Sequence, residues 1–364
     1  MVINKRYQLI PVALSLLLVS SLSFAKQWVP QSEEEVVLHY EPNRMSPLTM
    51  TVQSSTQPNP QRLLTMMSKL IQQSQYPGQS HALNDASVML KRLAPMMHSL
   101  NKEQQAQYTI AKANIAQQSH HFQRALDLLS NVKDSSEHYP QALLIQSRLL
   151  LIQGNYPAAE KACRKLISYH IQAGELCTIE VKIYQRSSNT AQSLSILRER
   201  YTADNDPLTR YFHQIQGTSF RIEQNYQKAE EAFSYDLLNA PSSQWYQWAD
   251  MAFANQRPQK VYQALKALIP SADNNLEDGF IMRLARAEKE MQLVPANYQK
   301  LAQQLVELRQ RRNDKLHAAD IAYYFIFIAQ NPEQALKWAK LNWQQVKEPS
   351  DKHILQQASA MNNK

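Results

Sequence analysis

The chain has 364 residues, a formal charge of +8 and 44% hydrophobic residues, which is enough apolar material for a folded core. Only five of its residues are glycine, so glycine-rich phosphate loops and many tight hairpins are excluded, and an all-α fold is favoured. The positive charge is dispersed, with no run of five Lys or Arg residues, so we expect no nucleic-acid partner.

The first 25 residues have the three parts of a secretory signal peptide. Lys5 and Arg6 precede a mostly apolar stretch from Leu9 to Val19, and small residues at Ser23 and Ala25 offer a cleavage site. An uncleaved membrane anchor is the alternative, although the apolar stretch is shorter than the roughly 20 residues that span a bilayer. We expect cleavage after Ala25, a periplasmic or secreted product, and no membrane span in that product.

Two regions precede the main body of the chain. Residues 26–60 carry recurrent prolines, and we interpret them as an extended N-terminal arm that is partly mobile, docks in a groove or mediates assembly. Residues 61–103 contain two amphipathic stretches, Arg62–Ile71 and Ala82–Leu93, whose apolar residues follow the helical period. These stretches predict a divergent helical cap.

A motif recurs along the rest of the chain: an aromatic residue, two spacers and an alanine. Its clearest copies begin at Phe122, Tyr156 and Tyr226. Weaker copies fit at Thr190 with Ser193, at Val261 with Ala264, at Tyr298 with Leu301, and at Pro332 with Ala335. Adjacent anchors are 34 to 37 residues apart, and this period is typical of stacked helical hairpins.

The most complete copy has Gly217 and Phe220 in a first helix, then Tyr226, Ala229 and Phe233 in a second, with Pro241 after it. This pattern resembles the tetratricopeptide repeat (TPR), a helix-turn-helix unit of 34 residues. The resemblance implies an all-α, right-handed superhelical solenoid of about seven to eight repeats.

The solenoid is predicted for residues 104–347, followed by a C-terminal capping helix within residues 348–364. The C-terminal part, including Asn342-Trp343 and Glu348-Pro349, also resembles a group of exported bacterial TPR proteins without an assigned activity. That second resemblance implies an interaction fold and no mechanism.

The two cysteines, Cys163 and Cys177, are close in sequence, and in an exported chain this spacing predicts a disulfide, with two buried free thiols as the alternative. The repeat phase places Cys163 on the second helix of one repeat and Cys177 on the first helix of the next. In the repeat family those positions pack together, so the bond would join two repeats.

The first helices of TPR units line a concave groove. Aligning the repeats of this chain with the TPR unit shows which residues would face that groove. The predicted groove or partner-binding residues are Arg148, Lys182, Arg186, Tyr211, Gln214, Arg221, Tyr246, Phe253, Arg257, Arg283 and Arg286. Few acids are expected there, chiefly Glu175 and Glu290. A basic groove with aromatic walls would suit an acidic or extended peptide, and a solvated face without a ligand is the alternative.

We find no motif for catalysis. The ten histidines are scattered, without a HExxH or a nucleophile elbow, so we predict no enzyme, no metal and no cofactor. The leading hypothesis is a non-enzymatic protein–protein interaction module, an adaptor or assembly factor of the bacterial cell envelope. Its partner would be a protein or peptide, with a membrane protein as one candidate. A periplasmic small-molecule or glycan-binding protein is the alternative.

Overall fold

The computed structural model describes residues 59–187, 190–200, 207–269 and 276–363. The predicted signal peptide and nearly all of the predicted N-terminal arm lie outside these residues. The described residues are mainly helical and contain no strand, which confirms the all-α prediction. Their α-helices are α1 (Pro60–Gln73), α2 (Ala82–Leu93), α3 (Lys102–Gln118), α4 (Phe122–Leu129), α5 (Tyr139–Ile152), α6 (Tyr156–Ile167), α7 (Ile171–Tyr184), α8 (Thr190–Arg200), α9 (Pro207–Ile222), α10 (Tyr226–Phe233), α11 (Ser242–Ala254), α12 (Pro258–Leu268), α13 (Asp278–Glu290), α14 (Asn297–Arg311), α15 (Ala318–Tyr323), α16 (Pro332–Gln345) and α17 (Pro349–Asn362).

The helices form hairpins that stack in chain order. Each odd-numbered helix from α1 to α15 packs against the next even-numbered one, and most odd-numbered helices also contact the next odd-numbered helix. The odd-numbered helices therefore form an inner layer and the even-numbered helices an outer one. This is the arrangement of an α-solenoid, in which no hairpin can bury its apolar face without its neighbours.

One turn geometry recurs in seven of these hairpins. The inner helix ends at a residue with positive φ, and in most hairpins the second helix begins two residues later. These left-handed residues are His120, Gly154, Arg186, Gln224, Gln256, Gln292 and Gln330. The backbone N–H of the following residue bonds back to the inner helix, as from Asn155 to the Leu150 carbonyl at 2.8 Å, which satisfies carbonyls left open at the helix end.

Asparagine caps several of the outer helices. The side chains of Asn155, Asn225 and Asn331 each accept a hydrogen bond from the backbone N–H three residues later, at 3.1 to 3.4 Å. These bonds satisfy amide groups that have no partner inside the helix. The cap, together with the preceding left-handed residue, fixes where the outer helix starts.

Two anchors of the predicted repeat are out of phase. The expected anchor Val261 lies inside α12, which begins at Pro258, and Val261 itself occupies the fully buried position that was expected for Ala264. Proline is favoured in the first helical turn, so it starts this helix three residues early.

In α14 the shift is one residue. Ala302 and Val306 are buried, whereas the expected Leu301 is 38% exposed. The connection between α13 and α14 is longer than the other turns of this kind, which changes the register of the second helix.

Candidate functional site

The inner faces of the odd-numbered helices and the C-terminal helix α17 enclose a cavity of about 1430 Å³. Its walls come from α3, α5, α7, α9, α11, α13 and α15 on one side, and from Asn342 to Gln357 on the other. The groove predicted from the repeat is therefore present, and the chain's own C-terminal segment, with α17 packed on α16, forms its second wall.

Eight of the eleven predicted groove residues line this cavity: Arg148, Arg186, Tyr211, Gln214, Arg221, Tyr246, Arg283 and Arg286. The other three do not. Lys182 is half-buried on α7, and Phe253 is buried beneath the guanidinium of Arg286. Arg257 lies at the start of α12, where it pairs with the buried carboxylate of Glu230 at 3.2 Å.

The prediction of a basic groove with few acids is wrong. Six carboxylates line the cavity: Glu180, Asp250, Glu277, Asp320, Glu348 and Asp351. The two acids expected there are not among its lining residues, and Glu290 instead pairs with Arg286 at 2.6 Å. The repeat phase missed Glu348 and Asp351 because they belong to the segment that folds back into the groove.

Arg148 is the centre of the first polar cluster. Its guanidinium donates to Glu180 at 2.7 Å and to the Tyr184 hydroxyl at 3.1 Å, and it forms an ion pair with Glu348. The Tyr211 hydroxyl donates to the other oxygen of Glu180 at 2.6 Å. Burial, followed by the charge of Glu180, raises the pKa of Tyr211, so its hydroxyl remains a donor at neutral pH.

A second cluster surrounds Arg283 and Arg286. The Arg283 guanidinium donates to Asp250 at 2.7 Å and lies 4.4 Å from the centre of the Tyr246 ring. Asp250 also accepts from the Tyr323 hydroxyl at 3.2 Å. Both arginines are therefore already held by contacts within the chain.

The aromatic walls of this cluster hold Arg286. Its guanidinium lies between the rings of Phe253 and Phe327, 4.1 and 3.9 Å from their centres, where the ring faces attract a cation. Phe327 belongs to a π-helical turn, Tyr324–Ile328, that directly follows α15. Such turns are frequent at functional sites.

The C-terminal segment crosses the cavity through polar contacts. The Lys347 backbone N–H donates to the Ile152 carbonyl at 2.6 Å. Asp351 accepts from the Asn342 side chain at 2.7 Å and from the Glu348 backbone at 3.1 Å. Arg221 lines the same cavity as Asp351 and His353 of this helix. Among the described residues Arg221 has no ion pair.

The predicted disulfide is present between Cys163 on α6 and Cys177 on α7, with their Cα atoms 5.4 Å apart. Both cysteines are buried, and the alternative of two free thiols is excluded. The bond joins the second helix of one hairpin to the first helix of the next, as the repeat phase predicted. The bond attaches α7, which carries Glu180, to α6 of the preceding hairpin.

Elsewhere in the described part of the chain, Glu103, Glu137 and His138 bring three possible ligand atoms within 4.8 Å of one another. One oxygen of Glu103 already accepts from the Ser136 hydroxyl at 2.6 Å and from the Glu137 backbone at 3.1 Å. The group therefore acts as a structural tie between α3 and the turn before α5. None of the helices in the described ranges has the length and apolar character that a membrane crossing requires.

Comparison with known proteins adds little to this description. No protein-family model matches the chain, and no curated protein matches it. One solved structure that is similar is the crystal structure of the TPR domain of P58(IPK), with 13% identity, a TM-score of 0.27, and coverage of 84% of this chain and 98% of that one. A TM-score this low supports no conclusion. The description as a helical solenoid therefore rests on the chain's own helix pairs and on their recurrent turns.

Proposed function

We propose that this chain is a non-enzymatic interaction module that binds a protein or peptide segment on the inner face of its odd-numbered helices. The observation that carries the proposal is the cavity of about 1430 Å³ on this face, which the odd-numbered helices line on one side and the C-terminal segment lines on the other. A concave surface lined by charged, hydrogen-bonding and aromatic side chains has the properties of a peptide-binding groove.

The pairing of the arginines on the inner face limits how acidic a partner segment is expected to be. Most inner arginines are paired with acids of the solenoid, such as Arg283 with Asp250. Arg186 is exposed at the end of α7, and Arg221 lines the cavity, so these two offer charge to a ligand. We therefore expect a partner segment with carboxylates at a few positions rather than a strongly acidic one.

Location in the cell envelope is part of the proposal. The N-terminal sequence has the pattern of a secretory signal, and the Cys163–Cys177 bond suits an oxidising compartment. An adaptor or assembly factor for an envelope complex fits these features, with a membrane protein that faces the periplasm as one candidate partner. Nucleic acid is not expected, and no metal or cofactor is required.

The test is the change Arg186→Gln together with Arg221→Gln, which removes both charges without reversing them. We expect partner capture from envelope extract, followed by cross-linking and mass spectrometry, to fall at least about tenfold, equivalent to about 1.4 kcal/mol of binding free energy. The matched control is Lys161→Gln with Lys300→Gln, which removes two exposed charges from the outer helices α6 and α14. Equal capture by both double variants would refute binding on the inner face.

A small molecule or glycan is a second candidate ligand, favoured by the aromatic lining of the cavity. Tyr184, Tyr211, Tyr246 and Trp343 line a volume larger than the 300 to 1,000 Å³ of typical ligand sites. A ligand of this class would raise the melting temperature of the purified chain without any protein partner. A screen of cell-wall glycans and small anions that gave no shift would leave the protein-binding function as the better account.

A further inference from the structure

We propose that the cavity is closed along a seam between early and late hairpins of the solenoid, and that a bulky partner segment enters only when this seam parts. The inference rests on the proposed function and adds how the inner face becomes accessible. The seam has two parts, and each consists of contacts between hairpins that are far apart in the chain. It differs from the interfaces between neighbouring hairpins in the kind of contact that holds it.

The first part of the seam joins the turn of the first hairpin to the starts of α11 and α13. The Ser242 backbone N–H donates to the Gln75 carbonyl at 2.8 Å. The Gly78 N–H donates to the two carboxylate oxygens of Glu277, at 3.1 and 3.2 Å. Gln75, Ser242 and Glu277 also line the cavity, so this part of the seam belongs to the cavity wall.

The second part of the seam joins α5 to the connection between α16 and α17. The Lys347 backbone N–H donates to the Ile152 carbonyl at 2.6 Å, and Arg148 forms an ion pair with Glu348. Val346 is extended, with φ −128° and ψ 129°, and packs against the apolar cluster of α3 to α5. These residues, apart from Ile152, line the cavity as well, so the wall opens wherever the seam opens.

Apolar packing is continuous between neighbouring hairpins and almost absent across the seam. The apolar clusters of the described residues are each formed by consecutive hairpins, and Val346 is the one member that crosses the seam. The extensive helix–helix contacts likewise lie within one hairpin or between adjacent ones. A boundary held by polar contacts opens at a lower free-energy cost than one that must expose a core, because water replaces the lost hydrogen bonds.

The stacked hairpins provide the movement. The curvature of a solenoid is the sum of small rotations between neighbours, so a slight change at each interface separates distant hairpins without unfolding any of them. α17 stays packed on α15 and α16, with Ala358, Ile354 and Leu355 in the core of the last hairpin. The last hairpin and α17 therefore turn away together, as one body, when the second part of the seam opens.

The experiment measures access to the cavity with a thiol reporter. Gln247→Cys places a thiol at a half-buried position on α11 that lines the cavity. Its reaction rate is measured with N-ethylmaleimide and with a maleimide on a long polyethylene glycol chain. The two reagents share the same reactive group, so the ratio of their rates isolates the entry of a bulky molecule.

A disulfide across the second part of the seam prevents it from opening. A Cβ atom built on Gly154 lies 3.8 Å from the Lys347 Cβ atom, which matches the mean separation of about 3.8 Å in disulfides. Cysteine is compatible with the φ of 77° at Gly154, since Arg186 and Gln224 adopt positive φ in the same turn. We expect oxidised Gly154→Cys with Lys347→Cys to slow the polyethylene glycol reagent at least tenfold and to leave N-ethylmaleimide unaffected.

The matched control for the locked chain is Gly154→Ser with Lys347→Ser, which cannot form the bond. A second variant acts in the opposite direction. Val346→Ala shortens the one apolar side chain that crosses the seam and should speed the polyethylene glycol reagent at least threefold. Its control is Val294→Ala, which changes an almost fully exposed valine and should have no effect.

The inference is overturned if the locked chain and its serine control react equally with the bulky reagent, or if Val346→Ala leaves that rate unchanged. Where the engineered disulfide does not form, the comparison between Val346→Ala and Val294→Ala decides alone. These rates require no partner, so the outcome is distinct from that of the proposed function. Partner capture that depends on Arg186 and Arg221, combined with unaltered labelling, would retain binding on the inner face and reject the seam.

Discussion

Asp351 is the single acid within α17, and its carboxylate is buried. It is 9% exposed, and its burial raises its pKa to about 7, with a further increase from the charge of Glu348. The hydrogen bonds from Asn342 and from the Glu348 backbone oppose the shift, as does the charge of Arg221. At neutral pH this carboxyl group is therefore close to half protonated.

The raised pKa predicts that folding stability falls as the pH rises. Between the unfolded pKa near 3.9 and the folded pKa of about 7, the folded chain holds more protons, so the contribution of Asp351 decreases through this window and is constant above it. Asp351→Asn removes that titration. We expect its free energy of unfolding in urea, relative to the unmodified chain, to increase from pH 4 to pH 7.

Comparing the Asp351→Asn variant with the unmodified chain separates the titration of Asp351 from that of neighbouring groups. Burial and the charge of Arg221 lower the pKa of His353, whose titration gives an opposite slope below pH 6.5. This slope occurs in both chains and cancels in the difference. Parallel stability curves for Asp351→Asn and the unmodified chain across pH 4 to 8 would contradict the assigned environment.

At the residue scale the sequence located the inner arginines but not their pairing. The helical period indicates which face of a helix a side chain occupies. It correctly placed Arg148, Arg221 and Arg283 among the residues that line the cavity. Whether such a guanidinium is free depends on acids about 30 residues away on other helices, such as Asp250 for Arg283. No local pattern encodes that distance, so the net charge of the groove was mispredicted.

Within a hairpin, the contact between Gly217 and Phe233 shows how closely two helices approach. A Cβ atom built on Gly217 would lie 2.6 Å from the Phe233 ring, and that ring is fully buried. The sequence identified both residues as repeat positions, and the structure shows that the Phe233 ring fills the space over α9 in its own hairpin.

A double-mutant cycle tests this contact. Gly217→Ala should destabilise the chain by about 1–3 kcal/mol, because the added methyl group overpacks the interface. In a Phe233→Leu background the smaller side chain leaves room, and the same change should become neutral or slightly stabilising, since alanine favours helix by about 1 kcal/mol over glycine. Urea unfolding of the four chains gives the coupling energy.

Additive effects in that cycle would mean that the ring does not limit the approach of α9 and α10. Gly174→Ala provides the matched comparison, because its Cβ atom would meet backbone atoms of Ile167 at 2.6 and 2.8 Å. Backbone cannot rotate away, so no single side-chain truncation at Phe233 should rescue this second substitution.

At the element scale, helix starts were predictable where an aromatic residue follows the turn, as at Tyr156 and Tyr226. The starts of α12 and α14 were not predictable, because neither helix begins with an aromatic residue. Gln256 and Gln292 adopt the left-handed conformation without being glycine, at a cost of roughly 1–2 kcal/mol that the surrounding fold must offset. The start of α12 was placed three residues late because this helix begins at Pro258 and not at an aromatic residue.

For the described chain as a whole, contacts between distant hairpins distinguish it from an open repeat array. The Gly78 backbone N–H donates to the Glu277 carboxylate at 3.1 and 3.2 Å, and the Ser242 N–H donates to the Gln75 carbonyl at 2.8 Å. These bonds connect the turn of the first hairpin to the starts of α11 and α13. In a solenoid that contacts only its nearest neighbours, such ties would be absent and each end would open independently.

We therefore expect the first hairpin to depend on Glu277 for its protection. Glu277→Ala should increase hydrogen exchange at Gly78 and in the adjoining turn by about tenfold to a hundredfold, because a hydrogen bond to a charged group contributes on the order of 1.5–3 kcal/mol. Amides of α6, which contact neither residue, should be unchanged. Glu277→Gln keeps an oxygen acceptor and should restore most of the protection.

The matched control is Glu307→Ala, which removes an exposed carboxylate from the outer helix α14. If Glu277→Ala and Glu307→Ala give the same exchange at Gly78, the Glu277 carboxylate does not hold the first hairpin, and its packing on α3 and the Ser242–Gln75 hydrogen bond suffice. Loss of protection in Glu277→Ala alone, with parallel loss at the start of α11, would show that the two distant regions open together. In that case the first hairpin and the starts of α11 and α13 form one cooperative structure.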